Sequence, residues 1–256
     1  MNYRDQPGPL AIAHRGGSGL AAENTLEAFR RSYDLGFHYL ETDVRLTFDR
    51  QLVAFHDARL NRVTEASGPV RARTLSELAG LPVLSGGPVA ALPALLAMFP
   101  RACFTLDVKH PAVIAPLAGL LNAGGLASRV CVAASRGRWL RELRARVGPQ
   151  LCTALSWREL VHLASRSNGR YGDAAFAHIP LRLGRVPVFR NELVARAHDA
   201  GVRAIVWTVN EQETMHRMLD NGVDGIITDR PDLLREVLVA RGQWHAPDDH
   251  AARASI

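Results

Sequence analysis

The chain has 256 residues, a length that fits one (β/α)8 barrel or two smaller domains. Hydrophobic residues make up 47% and charged residues 22%, the balance of a folded globular protein, which argues against disorder. The net charge is +6, but the arginines are scattered and form no long basic run, so we do not expect nucleic acid as a partner.

The cysteines and the apolar segments indicate a cellular setting. Cys103, Cys131 and Cys152 lie near the start of apolar runs and show neither CxxC nor zinc-finger spacing, so we expect buried free thiols. The first ten residues lack the apolar core of a signal peptide, and no uninterrupted apolar stretch reaches about 18 residues. We therefore expect a cytoplasmic protein without a stable membrane anchor.

Short apolar segments alternate with amphipathic helical segments along the chain, as in parallel β/α proteins. The predicted strands cover residues 10–16, 39–45, 103–110, 129–135, 150–156, 174–181, 203–209 and 224–230. The clearest predicted helices cover residues 25–35, 138–147, 191–200 and 211–221. Three helix-to-strand junctions contain a glycine that can cap the helix end. Eight such strands predict a (β/α)8 barrel.

One segment interrupts the alternation. Residues 58–92 are too long for a simple β/α loop and contain turn residues with a brief helical stretch. We expect a small insertion after the second strand that passes over the barrel mouth. Residues 243–256 are polar and without pattern, which predicts a loose C-terminal tail. The whole chain, residues 1–256, is then expected to form a single barrel domain.

Polar residues follow several of the predicted strands, at the end of a barrel where active sites lie. His14 and Arg15 close the first strand, and the glycines after them allow backbone amides to approach an anion. Glu41 and Asp43 are two residues apart, so both carboxylates point to one face of the second strand. The mouth of the predicted barrel is therefore rich in charged groups.

The third strand adds a carboxylate and an ammonium group. Asp107 and Lys109 are also two residues apart, and Lys109 is the only lysine among 31 basic residues. A site that keeps a lysine in so arginine-rich a chain indicates a need for a compact point charge. Three carboxylates from adjacent strands would repel each other unless a cation lies among them, and oxygen ligands favour Mg²⁺ or Ca²⁺.

Two histidines are expected at the same mouth. His14 ends the first strand, and His56 follows an apolar run that returns from the second strand. A lone histidine is more often a structural residue, but two beside carboxylates and fixed cations favour proton transfer by an acid and a base.

Five segments of the chain, in order, resemble the glycerophosphodiester phosphodiesterase family. They are AHRGGSGLAAENTLEAF, ETDVRLTFDRQLVAFHDARLNRVT, LDVKH, WTVN and GVDGIITDRP. The resemblance implies a (β/α)8 barrel that hydrolyses glycerophosphodiesters to glycerol 3-phosphate and an alcohol with a divalent metal, Mg²⁺ or Ca²⁺. It also implies that residues 58–92 are the characteristic insertion of the family.

The resemblance assigns roles to eight residues: acid/base catalysis to His14 and His56, substrate binding to Arg15, Lys109 and Trp207, and metal ligation to Glu41, Asp43 and Asp107. Asp107 lies where the family has a glutamate. Its shorter side chain leaves open whether it contacts the metal directly or through water.

Three alternative functions stay open at this point. Lys109 could form a Schiff base in an aldolase, although flanking carboxylates would keep its ammonium protonated. A sphingomyelinase D-like phospholipase would use similar chemistry at a membrane. A barrel that binds phosphate without turnover is the non-enzymatic alternative. The head group, the metal, the attacking group (water or the glycerol hydroxyl) and the oligomeric state are not determined by the residue types.

Overall fold

The computed structural model describes residues 2–84, 86–165 and 171–245, and most of the predicted tail, residues 246–256, lies outside them. The strands in these ranges are β1 Leu10–Ala13, β2 Tyr39–Leu46, β3 Leu52–Ala54, β4 Cys103–Val108, β5 Val130–Ala134, β6 Cys152–Thr153, β7 Phe176–Pro180, β8 Arg182–Leu183, β9 Val186–Pro187, β10 Arg203–Trp207 and β11 Gly225–Thr228.

Eight parallel strands form one sheet in the order β6-β5-β4-β2-β1-β11-β10-β7. A parallel bridge between Ala154 and Phe176 connects the two outer strands, so the sheet curves into a nearly closed barrel. Each predicted strand segment contains one of these eight strands. The predicted (β/α)8 barrel is confirmed.

Helices follow the strands, and all except α2, which lies in the segment between β3 and α3, cover the outside of the barrel. They are α1 Leu26–Asp34, α2 Leu75–Ala79, α3 Leu92–Met98, α4 Ile114–Ala123, α5 Gly137–Val147, α6 Trp157–Ser165, α7 Asn191–Asp199, α8 Gln212–Asp220 and α9 Pro231–Ala240. Three of these helices, α1, α7 and α8, are followed by a glycine with a positive φ angle: Gly36 at 92°, Gly201 at 70° and Gly222 at 77°. These are the glycines predicted to cap the helix ends. Among the described residues, no helix is long and apolar enough to span a membrane.

The barrel interior below the mouth is filled by aromatic, aliphatic and sulfur-containing side chains. Cys103, Cys131 and Cys152 are buried here as free thiols, as the sequence predicted. Tyr3, from the segment before β1, is buried in the same cluster and its hydroxyl hydrogen-bonds Thr105 Oγ1. The interior is therefore closed from below, and access to the polar strand ends is from the other side.

The segment between β3 and α3 has a small core of its own. β3 pairs antiparallel with β2, and the chain then runs through turns and α2 before it reaches Leu92. Thr74 and Glu77 form a reciprocal capping box at the start of α2. The buried cluster of this segment comprises Val53, Phe55, Leu60, Val63, Val70, Leu78, Val83 and Val89. This core fixes the segment against the β2–β3 hairpin.

Candidate active site

His14 and Arg15 follow β1 in a single helical turn with an uncommon backbone. Arg15 has a φ angle of 50°, in the left-handed region that an arginine rarely adopts. This conformation directs the Arg15 N–H to Glu41 Oε2, to which it donates a hydrogen bond of 2.8 Å. The turn thereby connects the end of β1 to a carboxylate of β2.

His14 is oriented by Asp229, which follows β11. His14 Nδ1 lies 2.7 Å from Asp229 Oδ1, and His14 Nε2 lies 3.9 Å from Glu41 Oε2. Asp229 also accepts hydrogen bonds from Ser18 Oγ and Asn210 Nδ2. Burial acts to lower the pKa of His14, but the hydrogen bond to Asp229 and the charge of Glu41 outweigh it and raise that pKa.

His56 has a similar arrangement in the same site. It follows β3, so the β2–β3 hairpin returns it to the strand ends as predicted. Its Nδ1 lies 2.6 Å from Asp57 Oδ1, and Asp57 Oδ2 accepts a bond of 2.6 Å from Arg62 Nε. Burial lowers the pKa of His56, and the attraction of Asp43 and Asp57 does not offset this effect.

The carboxylates of β2 and β4 lie side by side. Asp43 and Asp107 are directly opposite in the parallel register of the two strands, and Glu41 lies one pleat earlier on β2. Glu41 is 5% exposed and Asp43 only 1%. Burial and the charge of Asp43 raise the pKa of Glu41. Burial would also raise the pKa of Asp43, but Lys109 and Arg15 outweigh it and lower that pKa.

Lys109 lies between two of these carboxylates. Its Nζ is 2.6 Å from Asp107 Oδ2 and 2.9 Å from Asp43 Oδ1. Burial acts to lower the pKa of Lys109, but the two carboxylates outweigh it and raise that pKa. The single lysine of the chain is thus a protonated point charge at the centre of the acidic cluster.

A network of charged side chains joins the mouth to the segment after β3. Arg15 Nη1 donates to Glu23 Oε1 at 2.9 Å, and Arg62 donates to both oxygens of Glu23 at 2.7 and 2.8 Å. Asn24 donates to Asp43 Oδ2 at 3.1 Å. No role was predicted from the sequence for Glu23, Asn24 or Arg62, although all three lie within segments that resemble the family.

A cavity of about 270 Å³ lies at this end of the barrel. All eight predicted site residues line it: His14, Arg15, Glu41, Asp43, His56, Asp107, Lys109 and Trp207. The structure therefore brings together side chains from three barrel strands, β2, β4 and β10, and from the turns that follow β1, β3 and β4. Their roles stay predictions.

The cavity has an aromatic side, which the sequence analysis found only in part. Trp207 and Trp157 lie edge to face with ring centroids 6.4 Å apart, and Trp207 Nε1 donates to the backbone oxygen of His178 at 3.1 Å. His178 Nε2 is buried without a hydrogen-bond partner, and burial lowers the pKa of this histidine to about 4. Its position near the end of a predicted strand was the signal available in the sequence.

The donor set fits a hard divalent cation by its chemistry. Glu41, Asp43 and Asp107 supply carboxylate oxygens, the ligands that Mg²⁺ and Ca²⁺ prefer. The raised pKa of Glu41 indicates that the charges around it do not fully compensate a buried carboxylate. Within the described ranges, however, no three His, Cys, Asp or Glu side chains are already arranged to hold a metal ion. Lys109 instead occupies the position between Asp43 and Asp107.

Comparison with known proteins agrees with this geometry. The model of the glycerophosphoryl diester phosphodiesterase family matches residues 14–115 and 140–233, more than half of the chain. The chain belongs to this family. The match begins at His14 and includes all eight predicted site residues as well as Asp229.

Relatives in the glycerophosphodiester phosphodiesterase family cover nearly the full chain. "Probable glycerophosphodiester phosphodiesterase 2" of Mycobacterium tuberculosis is 37% identical over 93% of this chain and 93% of its own length. The glycerophosphodiester phosphodiesterase of Caldanaerobacter subterraneus is 30% identical over 88% of this chain and 96% of its own length. The crystal structure of glycerophosphodiester phosphodiesterase from Agrobacterium tumefaciens superimposes with a TM-score of 0.74 at 25% identity, covering 89% and 99% of the two chains.

Proposed function

We propose that this chain hydrolyses glycerophosphodiesters to glycerol 3-phosphate and an alcohol, with a divalent metal and with His14 and His56 as the acid/base pair. The observation that carries the proposal is that two carboxylate-oriented histidines, two fixed cations and three carboxylates all line one cavity of a chain in this family. The names of its full-length relatives support the same substrate class.

Arg15 and Lys109 supply the positive charge that a phosphodiester requires. Arg15 is anchored by Glu23 and Asp43, and Lys109 by Asp43 and Asp107, so both cations are oriented before substrate binds. Fixed cations lower the barrier because they need no reorganisation as negative charge develops on the phosphoryl oxygens. Both groups can therefore stabilise the substrate and the transition state.

His14 and His56 supply proton transfer. Each has its Nδ1 beside an aspartate, Asp229 or Asp57, which favours a proton on Nδ1 and leaves Nε2 for the cavity. One histidine accepts the proton of the attacking group while the other donates a proton to the oxygen of the leaving alcohol, whose bond to phosphorus breaks as the new P–O bond forms. If water attacks, the product is glycerol 3-phosphate. If the neighbouring glycerol hydroxyl attacks, a cyclic glycerophosphate forms first, and water then opens it to glycerol 3-phosphate. Asp229 and Asp57 are positioning residues in this scheme.

Glu41 and Asp43 would hold the metal, with Asp107 as a third ligand directly or through water. When bound, a divalent ion supplies Lewis-acid stabilisation of phosphoryl oxygens. Trp207 provides an apolar surface beside the polar cluster against which the glycerol carbons can pack. We also propose a cytoplasmic setting. The three buried cysteines are free thiols, which supports this setting because disulfides are rare in the cytosol.

The alternative functions have less support. A Schiff-base lysine must be a neutral amine to attack a carbonyl, whereas two carboxylates within 2.9 Å raise the pKa of Lys109. A phosphate-binding barrel without turnover would not need both oriented histidines, and both line the cavity here.

The test is hydrolysis of glycerophosphocholine, glycerophosphoethanolamine and glycerophosphoinositol after EDTA treatment, with and without added Mg²⁺ or Ca²⁺. We expect glycerol 3-phosphate release that requires added metal. His14→Gln and His56→Gln should each lower kcat by at least about 100-fold. His198→Gln on the outer helix α7 is the matched control and should keep wild-type kcat. Full activity in EDTA, or in either active-site variant, would contradict the proposal.

A further inference from the structure

A second cavity, of about 880 Å³, lies beside the catalytic cavity. The two cavities share Ser135 and Trp157 in their linings, so they meet at the point where β5 leads into α5 and the chain enters α6. We call the second cavity the arginine pocket, because its lining includes Arg136, Arg138, Arg141 and Arg158.

The four guanidinium groups come from two neighbouring helix starts. Arg138 and Arg141 are three residues apart in α5 and so share one helix face, while Arg158 lies in the first turn of α6. All four arginines are exposed. Within the described ranges none of the four forms an ion pair, whereas Arg146 at the far end of α5 pairs with Glu142 at 2.9 Å. The positive charge of the pocket is thus available to a ligand.

The acidic residue that lines the pocket, Glu159, contacts Ser156 and, in the part of the chain that the structure describes, pairs with none of the four arginines. Glu159 Oε2 accepts hydrogen bonds from the N–H and the hydroxyl of Ser156 at 2.7 and 2.6 Å, so it caps α6. At the start of α5, no side chain of the N-cap residue accepts a hydrogen bond from the first-turn N–H groups. These N–H groups carry the partial positive charge of a helix N-terminus and add to the positive potential of the pocket. The pocket as a whole favours an anion.

Resting on the proposed function, we propose that the arginine pocket binds a phosphate monoester carried by the alcohol half of the substrate. The glycerol half has no further charge, so a second anionic group on the substrate must belong to the leaving alcohol. Trp157, shared by both cavities, would contact the alcohol as it passes from one to the other. Several arginines around one space match the planar, bidentate recognition of phosphate better than that of a neutral or cationic head group.

The experiment compares two substrates that differ in one phosphate: glycerophosphoinositol 4-phosphate and glycerophosphoinositol. For the wild-type enzyme we expect kcat/KM to be at least about tenfold higher for the phosphorylated substrate, because a charged hydrogen bond typically contributes that much. In the double variant Arg138→Ser/Arg141→Ser, the ratio of the two kcat/KM values should fall to between about one and three. Arg136→Ser/Arg158→Ser is the second variant, for which the same loss is expected.

The matched control is Arg30→Ser/Arg217→Ser, which removes two exposed arginines from the outer helices α1 and α8 and should keep the preference. Circular dichroism establishes that each variant is folded. Equal kcat/KM for the two substrates in the wild type would overturn the inference but leave the proposed function intact. The inference would also be overturned if the preference for the phosphorylated substrate survived in both pocket variants. It would be overturned too if inorganic phosphate inhibited the enzyme while the wild type showed no preference between the two substrates. Failure to hydrolyse both inositol substrates would overturn the inference, and it would overturn the proposed function only if glycerophosphocholine and glycerophosphoethanolamine were not hydrolysed either.

Discussion

Removal of the Lys109 charge tests how the acidic cluster is stabilised. Lys109→Met keeps most of the side-chain volume but leaves Asp43, which is 1% exposed, and Asp107 without the ammonium that lies 2.9 and 2.6 Å away. Loss of one partner from a buried ion pair costs about 3–5 kcal/mol. Arg15 Nε remains 3.3 Å from Asp43 Oδ2, so we expect the lower end, about 3 kcal/mol.

The assay is urea unfolding at pH 7.5 in EDTA and again with Ca²⁺ or Mg²⁺. A bound cation would compensate the carboxylates, so metal at 100 times its dissociation constant should restore about 2.7 kcal/mol of the variant's stability. Lys109→Arg should keep the stability within about 1 kcal/mol, because it retains the charge, yet lose activity, because a planar fork replaces a point charge. Arg217→Met is the control for removal of an exposed cation, with an expected change below about 0.5 kcal/mol. If Lys109→Met were as stable as the wild type in EDTA, the assignment of Lys109 as the central counter-charge would be wrong.

Three further predictions concern single residues. Asp229→Asn should lower the pKa of His14, measured by NMR titration, and reduce kcat by at least about 100-fold; an unchanged titration would show that Asp229 does not orient this histidine. Arg129→Met should reduce the free energy of unfolding by about 3 kcal/mol without changing kcat, because the buried guanidinium donates to three backbone carbonyls of the segment before β4. His178 has a pKa of about 4 in the folded protein, so between pH 6.5 and 4 the unfolded chain binds a proton that the folded protein does not, and stability should fall by about 3 kcal/mol as the pH decreases through this window. His178→Gln should remove that part of the pH dependence. The reasoning would be contradicted if the free energy of unfolding changed equally with pH in the variant and the wild type.

The sequence by itself determined the barrel and the contents of its mouth. Alternation of apolar strands with amphipathic helices is a local pattern, and parallel strands place all their carboxyl ends at one end of a barrel. His14, Glu41, Asp43 and Asp107 could therefore be assigned to one cavity without knowledge of any distance. The LDVKH segment likewise identified Lys109 as a special charge, because residue type and composition are sequence properties.

Only the tertiary structure decided which of these groups pair with each other. Asp229 orients His14 from 215 residues away, and Lys109 bridges Asp43 and Asp107. The arginine pocket likewise exists because α5 and α6 begin side by side. Residue types state which hydrogen bonds and ion pairs are chemically possible. The choice among them depends on distances between residues far apart in the chain and on their burial, and both arise only when the barrel closes.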